Sequence, residues 1–95
     1  MEVQHQEEEG KGIFFIYQNG ETVAELTYSI PTKGKIIIQH TGVDESLEGK
    51  GLGKQLVEAA VEHARAKQIQ VIPVCSFAKS VIDQEPEWQQ VLLAR

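Results

Sequence analysis

The chain has 95 residues, of which 41% are hydrophobic and 24% are charged, and its formal net charge at pH 7 is -5. This length and composition predict one small domain over residues 1–95, with a modest core. An acidic balance without a basic stripe argues against nucleic acid as a partner. We expect neither a membrane span nor a signal peptide, because no apolar run is long enough and the first nine residues have neither a basic n-region nor an apolar h-region. The single cysteine excludes an internal disulfide framework and is typical of a cytoplasmic protein.

The first part of the chain predicts a meander of four largely antiparallel strands. Residues 3–7 alternate weakly, as an edge strand does, and residues 12–18 are rich in β-forming side chains. Asn19-Gly20 is the two-residue signal for a type I′ hairpin, so the chain should return as a third strand over residues 21–30. A turn at residues 31–34 then leads into a fourth strand at residues 35–41.

The later part of the chain predicts helices around one more strand. Between residues 51 and 67, apolar side chains recur on one stripe that should lie on the sheet: Leu52, Leu56, Val57, Ala60 and Ala64. A strand is expected at residues 69–74 and a helix at residues 77–83. Pro86 should begin a second short helix, and its expected anchors are Trp88, Val91 and Leu92. The sum is a small α/β fold, in which helices flank a mostly antiparallel mixed sheet.

The run EGKGLGK at residues 48–54 carries the clearest chemical signal. Three alternate glycines at the start of a helix leave backbone N–H groups bare where the helix dipole favours an anion, which predicts a phosphate-binding loop. The run is not a P-loop, because Gly53-Lys54 is followed by Gln55 and not by a hydroxyl residue. It also lacks the Gly-x-Gly-x-x-Gly spacing of dinucleotide-binding folds. The alternative is a loop whose glycines only turn the chain.

No metal site is expected from the sequence. The three histidines and one cysteine show no ligand spacing. His63 borders the apolar stripe of the helix and is interpreted as a helix-edge residue, not as a ligand.

Taken in chain order, the predicted strands, glycine-rich loop and helices resemble those of the GCN5-related N-acetyltransferase superfamily. Within it, they are most similar to the small single-domain YjdJ-type group. The resemblance extends over nearly the whole chain and rests on two blocks. Residues 40–43 (HTGV) leading to residues 49–53 (GKGLG) resemble the acetyl-CoA loop, Arg/Gln-x-x-Gly-x-Gly/Ala. Residues 72–79 (IPVCSFAK) resemble a Pro-x-Cys block that marks the small group.

The resemblance implies an N-acetyltransferase that uses acetyl-CoA as its cosubstrate and an amine as its acceptor. Backbone N–H groups of the glycine-rich loop would bind the pyrophosphate of coenzyme A. The strand before this loop would pair with the pantetheine arm. The N–H of Val43 would polarise the thioester carbonyl. The cofactor-binding residues implied are Thr41, Gly42, Val43, Gly49, Lys50, Gly51, Leu52, Gly53 and Lys54.

The chain departs from the family pattern at a few positions. Glu48 stands where Arg or Gln is usual, and a carboxylate there would repel phosphate unless it turns to solvent or pairs with Lys50. Residues 85–88 resemble a His-Pro-Glu-Tyr stretch, with Glu85 and Trp88 as the departures.

Two side chains are candidates for the chemistry. Cys75 lies between a strand and a helix, and a helix N-terminus lowers the pKa of a thiol. It would carry the acetyl group, assist the leaving thiolate, or only fill space in the core. Strand alternation puts His40 on the face of Ile36 and Ile38. If that face looks into the cleft, His40 could accept the amine proton, and if it looks into the core, His40 is structural.

A competing function is a module that binds coenzyme A or an acyl-CoA without turnover, or that serves as a protein-interaction domain. Compared with larger acetyltransferases, the chain stops soon after the second strand of the cleft, so the strands that complete an acceptor pocket are not expected. The acceptor amine, a small molecule or a protein, and the oligomeric state are left open.

Overall fold

The computed structural model describes residues 2–91, with the side chains of residues 2–89, and is built on one five-stranded sheet. The strands follow one another across the sheet in chain order: β1 (Val3–Glu8), β2 (Lys11–Gln18), β3 (Glu21–Thr32), β4 (Lys35–Val43) and β5 (Gln70–Pro73). The first four pair antiparallel, whereas β5 pairs parallel to β4. The helices are α1 (Leu52–Lys67) and α2 (Ser76–Asp83), with 3-10 turns at Glu45–Leu47 and Pro86–Val91. The predicted fold class is confirmed.

The turns of the meander follow from local sequence, with one correction. Asn19 and Gly20 have φ angles of 52° and 84°, the left-handed pair that a type I′ hairpin requires. The turn predicted at residues 31–34 is shorter, because β3 continues through Pro31 to Thr32. The register of β3 against β4 shifts between Ser29 and Thr32, which accommodates a proline that cannot donate to the ladder.

The core lies between one face of the sheet and α1. The predicted apolar stripe of α1 is buried, and Gly53 and Val61 are buried with it. Trp88 is only 4% exposed and joins the same core, as predicted, from the short 3-10 helix that begins at Pro86. The other two expected anchors, the Val91 side chain and Leu92, lie outside the described residues. Within residues 2–91, no helix has the length and apolar character to cross a membrane.

A bulge in β4 decides which of its side chains face α1. Tyr28 of β3 pairs with Ile38, and the next pair joins Thr27 to His40, so Gln39 is an extra residue in β4. Ile38 is buried, whereas His40 is exposed on the opposite face of the sheet. The prediction that His40 shares a face with Ile38 is therefore wrong, because one inserted residue reverses the strand alternation.

Candidate functional site

A cleft opens where β4 and β5 diverge. The two strands pair only as far as Ile38 and Pro73, where β5 ends, while β4 continues to Val43. The carbonyl of Ile38 accepts hydrogen bonds from the N–H groups of both Val74 (3.1 Å) and Cys75 (3.0 Å). After that point the chain turns into α2. The last part of β4 therefore has β3 on one side and, among the described residues, no paired strand on the other.

The open edge of β4 presents backbone N–H groups at predictable positions. The N–H of Asp44 donates to the carbonyl of Val23 in β3, at 2.8 Å. Because successive residues of a strand direct their backbone groups to alternate sides, the N–H groups of Val43 and Thr41 point away from β3. An extended ligand in the cleft would meet both of them.

The cleft has a volume of about 550 Å³ and lies between the open edge of β4, the glycine-rich loop and α2. Its lining consists of Thr41, Val43, Leu47, Glu48, Gly49, Gly51, Leu52, Gly53, Lys54, Phe77 and Val81. Sites for small molecules typically measure roughly 300–1,000 Å³. Seven of the nine residues implied to bind coenzyme A line this cleft, whereas Gly42 and Lys50 are outside its lining.

The N-terminus of α1 points its free N–H groups at this cleft. Gly51 is the N-cap and has a φ of 80°, and Gly49 has a φ of 84°, so both use the left-handed conformation that glycine tolerates. No side chain caps this end of α1, and its first backbone hydrogen bond runs from the N–H of Gln55 to the carbonyl of Gly51 (3.0 Å). The N–H groups of residues 52–54 have no intrahelical partner. The arrangement is suited to bind an anion.

Charged side chains of both signs lie beside the glycine-rich loop. The lysine would favour the binding of an anion there, whereas the carboxylates would oppose it. The ammonium of Lys54 lies 3.0 Å from a carboxylate oxygen of Glu85, so its charge is shared with an acid. Glu48 lines the cleft, and residues 2–91 contain no ion pair between it and Lys50. Glu48 and Glu85, two of the three departures from the family pattern, therefore put one carboxylate in the cleft lining and another beside Lys54.

Cys75 is the N-cap of α2, and its Sγ atom lies 3.5 Å from the Oγ1 atom of Thr41. Burial raises the pKa of the Cys75 thiol, but the Thr41 hydroxyl and the nearby N–H groups of Ala78 and Phe77 at the start of α2 lower it by more. The net pKa lies below that of an ordinary cysteine, as is expected of a thiol at a helix N-terminus. Cys75 itself is outside the lining of the cleft and reaches it through Thr41.

His40 is also part of β4, but its side chain lies on the face of the sheet opposite α1. Its side chain is 60% exposed, and its Nε2 atom lies 3.7 Å from a carboxylate oxygen of Glu25. A Cβ atom added at Gly42 would come within 3.0 Å of that same nitrogen. His40 is thus an exposed imidazole beside a carboxylate and not a core histidine. The sequence gives no sign of Glu25 as its partner, because the pairing depends on the bulge.

The lining also contains three apolar residues that the sequence does not single out, namely Leu47, Phe77 and Val81. Phe77 packs its ring against Gly53, where an added Cβ atom would come within 2.8 Å of the ring. It nevertheless remains 43% exposed. Phe77 and Val81 are four residues apart in α2, so their spacing does indicate one helix face, but not that this face borders a cleft.

Solved structures of known acetyltransferases resemble this fold. A GCN5-like candidate N-acetyltransferase from Staphylococcus aureus is 39% identical, with a TM-score of 0.72, over 99% of this chain and 89% of that protein. The ribosomal-protein-S18-alanine N-acetyltransferase of Escherichia coli is 16% identical (TM-score 0.69; 84% of this chain, 54% of that one). Glucosamine-6-phosphate N-acetyltransferase of Arabidopsis thaliana is 26% identical (TM-score 0.64; 80% of this chain, 58% of that one). The chain spans little more than half of these two enzymes.

A family model agrees with the structural likeness. Residues 13–91 match the model described as GCN5-related N-acetyl-transferase. This match includes β3, β4, the glycine-rich loop, α1 and α2, and so all of the residues that line the cleft. The chain belongs to the GCN5-related N-acetyltransferase family.

Proposed function

We propose that this protein is an N-acetyltransferase that moves an acetyl group from acetyl-CoA to an amine. The observation that carries the proposal is that the open edge of β4 and the uncapped N-terminus of α1 line one cleft. A backbone edge suits the amide groups of pantetheine, and the helix N-terminus suits a pyrophosphate. The family to which the chain belongs supports the same cosubstrate.

In the proposed complex, the pyrophosphate accepts hydrogen bonds from N–H groups of residues 52–54. The pantetheine arm extends along β4, where the N–H groups of Thr41 and Val43 face the cleft. The N–H of Val43 then donates to the thioester carbonyl and stabilises the negative charge that develops on its oxygen. The apolar ring of Phe77 forms the opposite wall.

The amine must lose a proton, and the sulfur of coenzyme A must leave as a thiolate or a thiol. We propose that an acceptor approaches from the face of His40, whose imidazole accepts the amine proton while Glu25 stabilises the resulting imidazolium. Cys75 lies beside Thr41, on the α2 side of the cleft. It has two candidate roles: its thiol protonates the departing thiolate, or its thiolate takes the acetyl group and passes it to the amine.

A second candidate function is binding of coenzyme A or an acyl-CoA without turnover. One observation favours it, namely that Cys75 is not itself among the residues that line the cleft. The two functions predict the same binding and different chemistry.

Mass spectrometry of the intact protein with acetyl-CoA separates these functions. With no acceptor, an acetyl carrier gains one acetyl group, which peptide analysis places on Cys75. With a panel of primary amines, either enzymatic route yields acetylated amine, and the Cys75→Ser variant is slower. Binding of acetyl-CoA without any acetylated product, across amines and protein N-termini, would contradict transfer and support the binding module.

A further inference from the structure

A second cluster of polar side chains lies outside the cleft, between β1 and α1. His5 and Glu7 come from β1, and His63 comes from α1. One ligand atom of each residue, an imidazole nitrogen or a carboxylate oxygen, lies within 4.8 Å of the corresponding atoms of the other two. His63 is far from His5 and Glu7 in the sequence, so the spacing of the three residues does not predict a metal site. Only the i, i+2 placement of His5 and Glu7 on one strand face is visible beforehand.

Neighbouring side chains contact all three members of the cluster. The His5 ring stacks on Phe14, with ring centroids 4.0 Å apart and planes within 4° of parallel. The Tyr28 hydroxyl donates a hydrogen bond to a carboxylate oxygen of Glu7 at 2.7 Å, and it lies 2.6 Å from the Nε2 atom of His5. The side chain of His63 is only 15% exposed, and its Nε2 atom lies 4.0 Å from the same carboxylate oxygen.

We propose that His5, Glu7 and His63 form a binding site for a divalent transition metal ion, for which zinc is the best fit. Zinc takes imidazole nitrogen and carboxylate oxygen at about 2.0–2.2 Å, and two histidines with one acid form a known three-ligand set. The fourth position goes to water. Tyr28 supplies an outer hydrogen bond that orients the carboxylate of Glu7.

Binding requires small local changes that the structure permits. Tetrahedral coordination brings ligand atoms to roughly 3.3 Å from one another, so the present cluster must contract. His5 and Glu7 lie on the exposed edge strand and have room to rotate. Because Tyr28 donates to Glu7, the Nε2 atom of His5 carries the proton in the metal-free protein. Coordination through Nε2 moves that proton to Nδ1, and the imidazole stays neutral.

The test is a calorimetric titration of the full-length, tag-free protein with zinc chloride in a non-chelating buffer. We expect one ion per chain and a melting temperature that rises with zinc. His5→Gln and His63→Gln should each weaken zinc binding by at least about tenfold. Removal of an outer-shell partner alone costs that much, and these variants remove a direct ligand. His40→Gln removes the remaining histidine, which lies elsewhere, and should bind as the parent does.

The controls make the result decisive. Cys75→Ser should keep the full affinity, because the thiol is not part of the cluster. Cobalt titrations read out coordination by visible absorption, independently of heat. Circular dichroism checks that each variant is folded, and if His63→Gln is not, the exposed His5→Gln carries the test. The proposal is overturned by the absence of saturable zinc binding, by parent-like zinc affinity in folded His5→Gln and His63→Gln, or by loss of binding in His40→Gln or Cys75→Ser.

Discussion

The Sγ atom of Cys75, at the start of α2, lies 3.5 Å from the Oγ1 atom of Thr41, which follows the bulge in β4. The contact bridges the gap where β4 and β5 separate. It connects the one thiol of the chain to a residue that lines the cleft. The reactivity of Cys75 therefore depends on a side chain that the cosubstrate would also touch.

Thr41→Val removes the hydroxyl while preserving the shape of the side chain. The hydroxyl is the largest of the causes that lower the pKa of Cys75, so the pKa should rise and the thiolate fraction at pH 7 should fall. Each unit of pKa changes that fraction tenfold. We expect alkylation by iodoacetamide, followed by mass spectrometry without any CoA, to slow several-fold. Thr27→Val, on the opposite face of β3, should leave the rate unchanged.

Gly51→Asp tests the anion site at the N-terminus of α1. The backbone there has a φ of 80° with open space around an added Cβ atom, so the variant should fold with some strain. A carboxylate at this point would repel the pyrophosphate, and CoA binding should fall below detection in calorimetry. Gly20→Asp is a matched control, because it makes the same change at a left-handed glycine with open space in the first hairpin. Parent-like affinity in folded Gly51→Asp would rule out the anion site.

Glu48→Arg reverses the charge of a residue that lines the cleft. It should tighten CoA binding by a few-fold at low salt, on the order of 1 kcal/mol or less for an exposed charge. The gain should shrink as the salt concentration rises. Glu45→Arg makes the same change outside the cleft lining and should have less effect. An affinity that stays flat or falls in Glu48→Arg would mean that this side chain does not face the phosphates.

Glu85→Gln tests whether the ion pair with Lys54 withholds a positive charge from the loop. Releasing the ammonium should strengthen CoA binding by a few-fold, again on the order of 1 kcal/mol or less. Asp83→Asn breaks the Lys79–Asp83 pair, which has the same 3.0 Å separation in α2, and serves as the charge-matched control. If Glu85→Gln and Asp83→Asn change the affinity for CoA equally, the change results from net charge and not from the release of Lys54.

The lowered pKa values of His5 and His63 predict how stability depends on pH without metal. In the unfolded chain the pKa of each imidazole is near 6.5, and burial lowers both pKa values in the folded protein. As the pH falls below about 6.5, the unfolded state takes up protons first, so this contribution to stability declines. The melting temperature should therefore drop as the pH falls through about 6.5. His63→Gln should flatten that drop, whereas His40→Gln should retain it.

The elements were predictable from sequence where local rules act alone. Asn19-Gly20 determines its hairpin through the left-handed preference of both residues, and the 3.6-residue period fixes the buried face of α1. The glycines at positions 49, 51 and 53 predict an exposed helix N-terminus, and that is where the cleft lies.

What sequence could not predict depends on pairing between distant segments. The bulge at Gln39 places His40 beside Glu25, and no local pattern in β4 announces an extra residue. The approach of His63 to His5 depends on how α1 crosses the first strands. The pairing of Lys54 with Glu85 depends on the turn after α2. In each case tertiary packing decides which side chains meet.

The central claim, that the cleft between β4, the glycine-rich loop and α2 binds coenzyme A, is tested most directly by NMR titration of the isotope-labelled protein. Coenzyme A should cause saturable shifts of the amide signals of Thr41, Val43 and residues 51–54, and it should leave the signals of the first hairpin unchanged. Titration with acetyl-CoA should move the Val43 signal differently, because coenzyme A itself lacks the thioester carbonyl that this N–H would bind. Absence of saturable shifts, or shifts confined to residues away from this cleft, would contradict the binding of coenzyme A in the cleft.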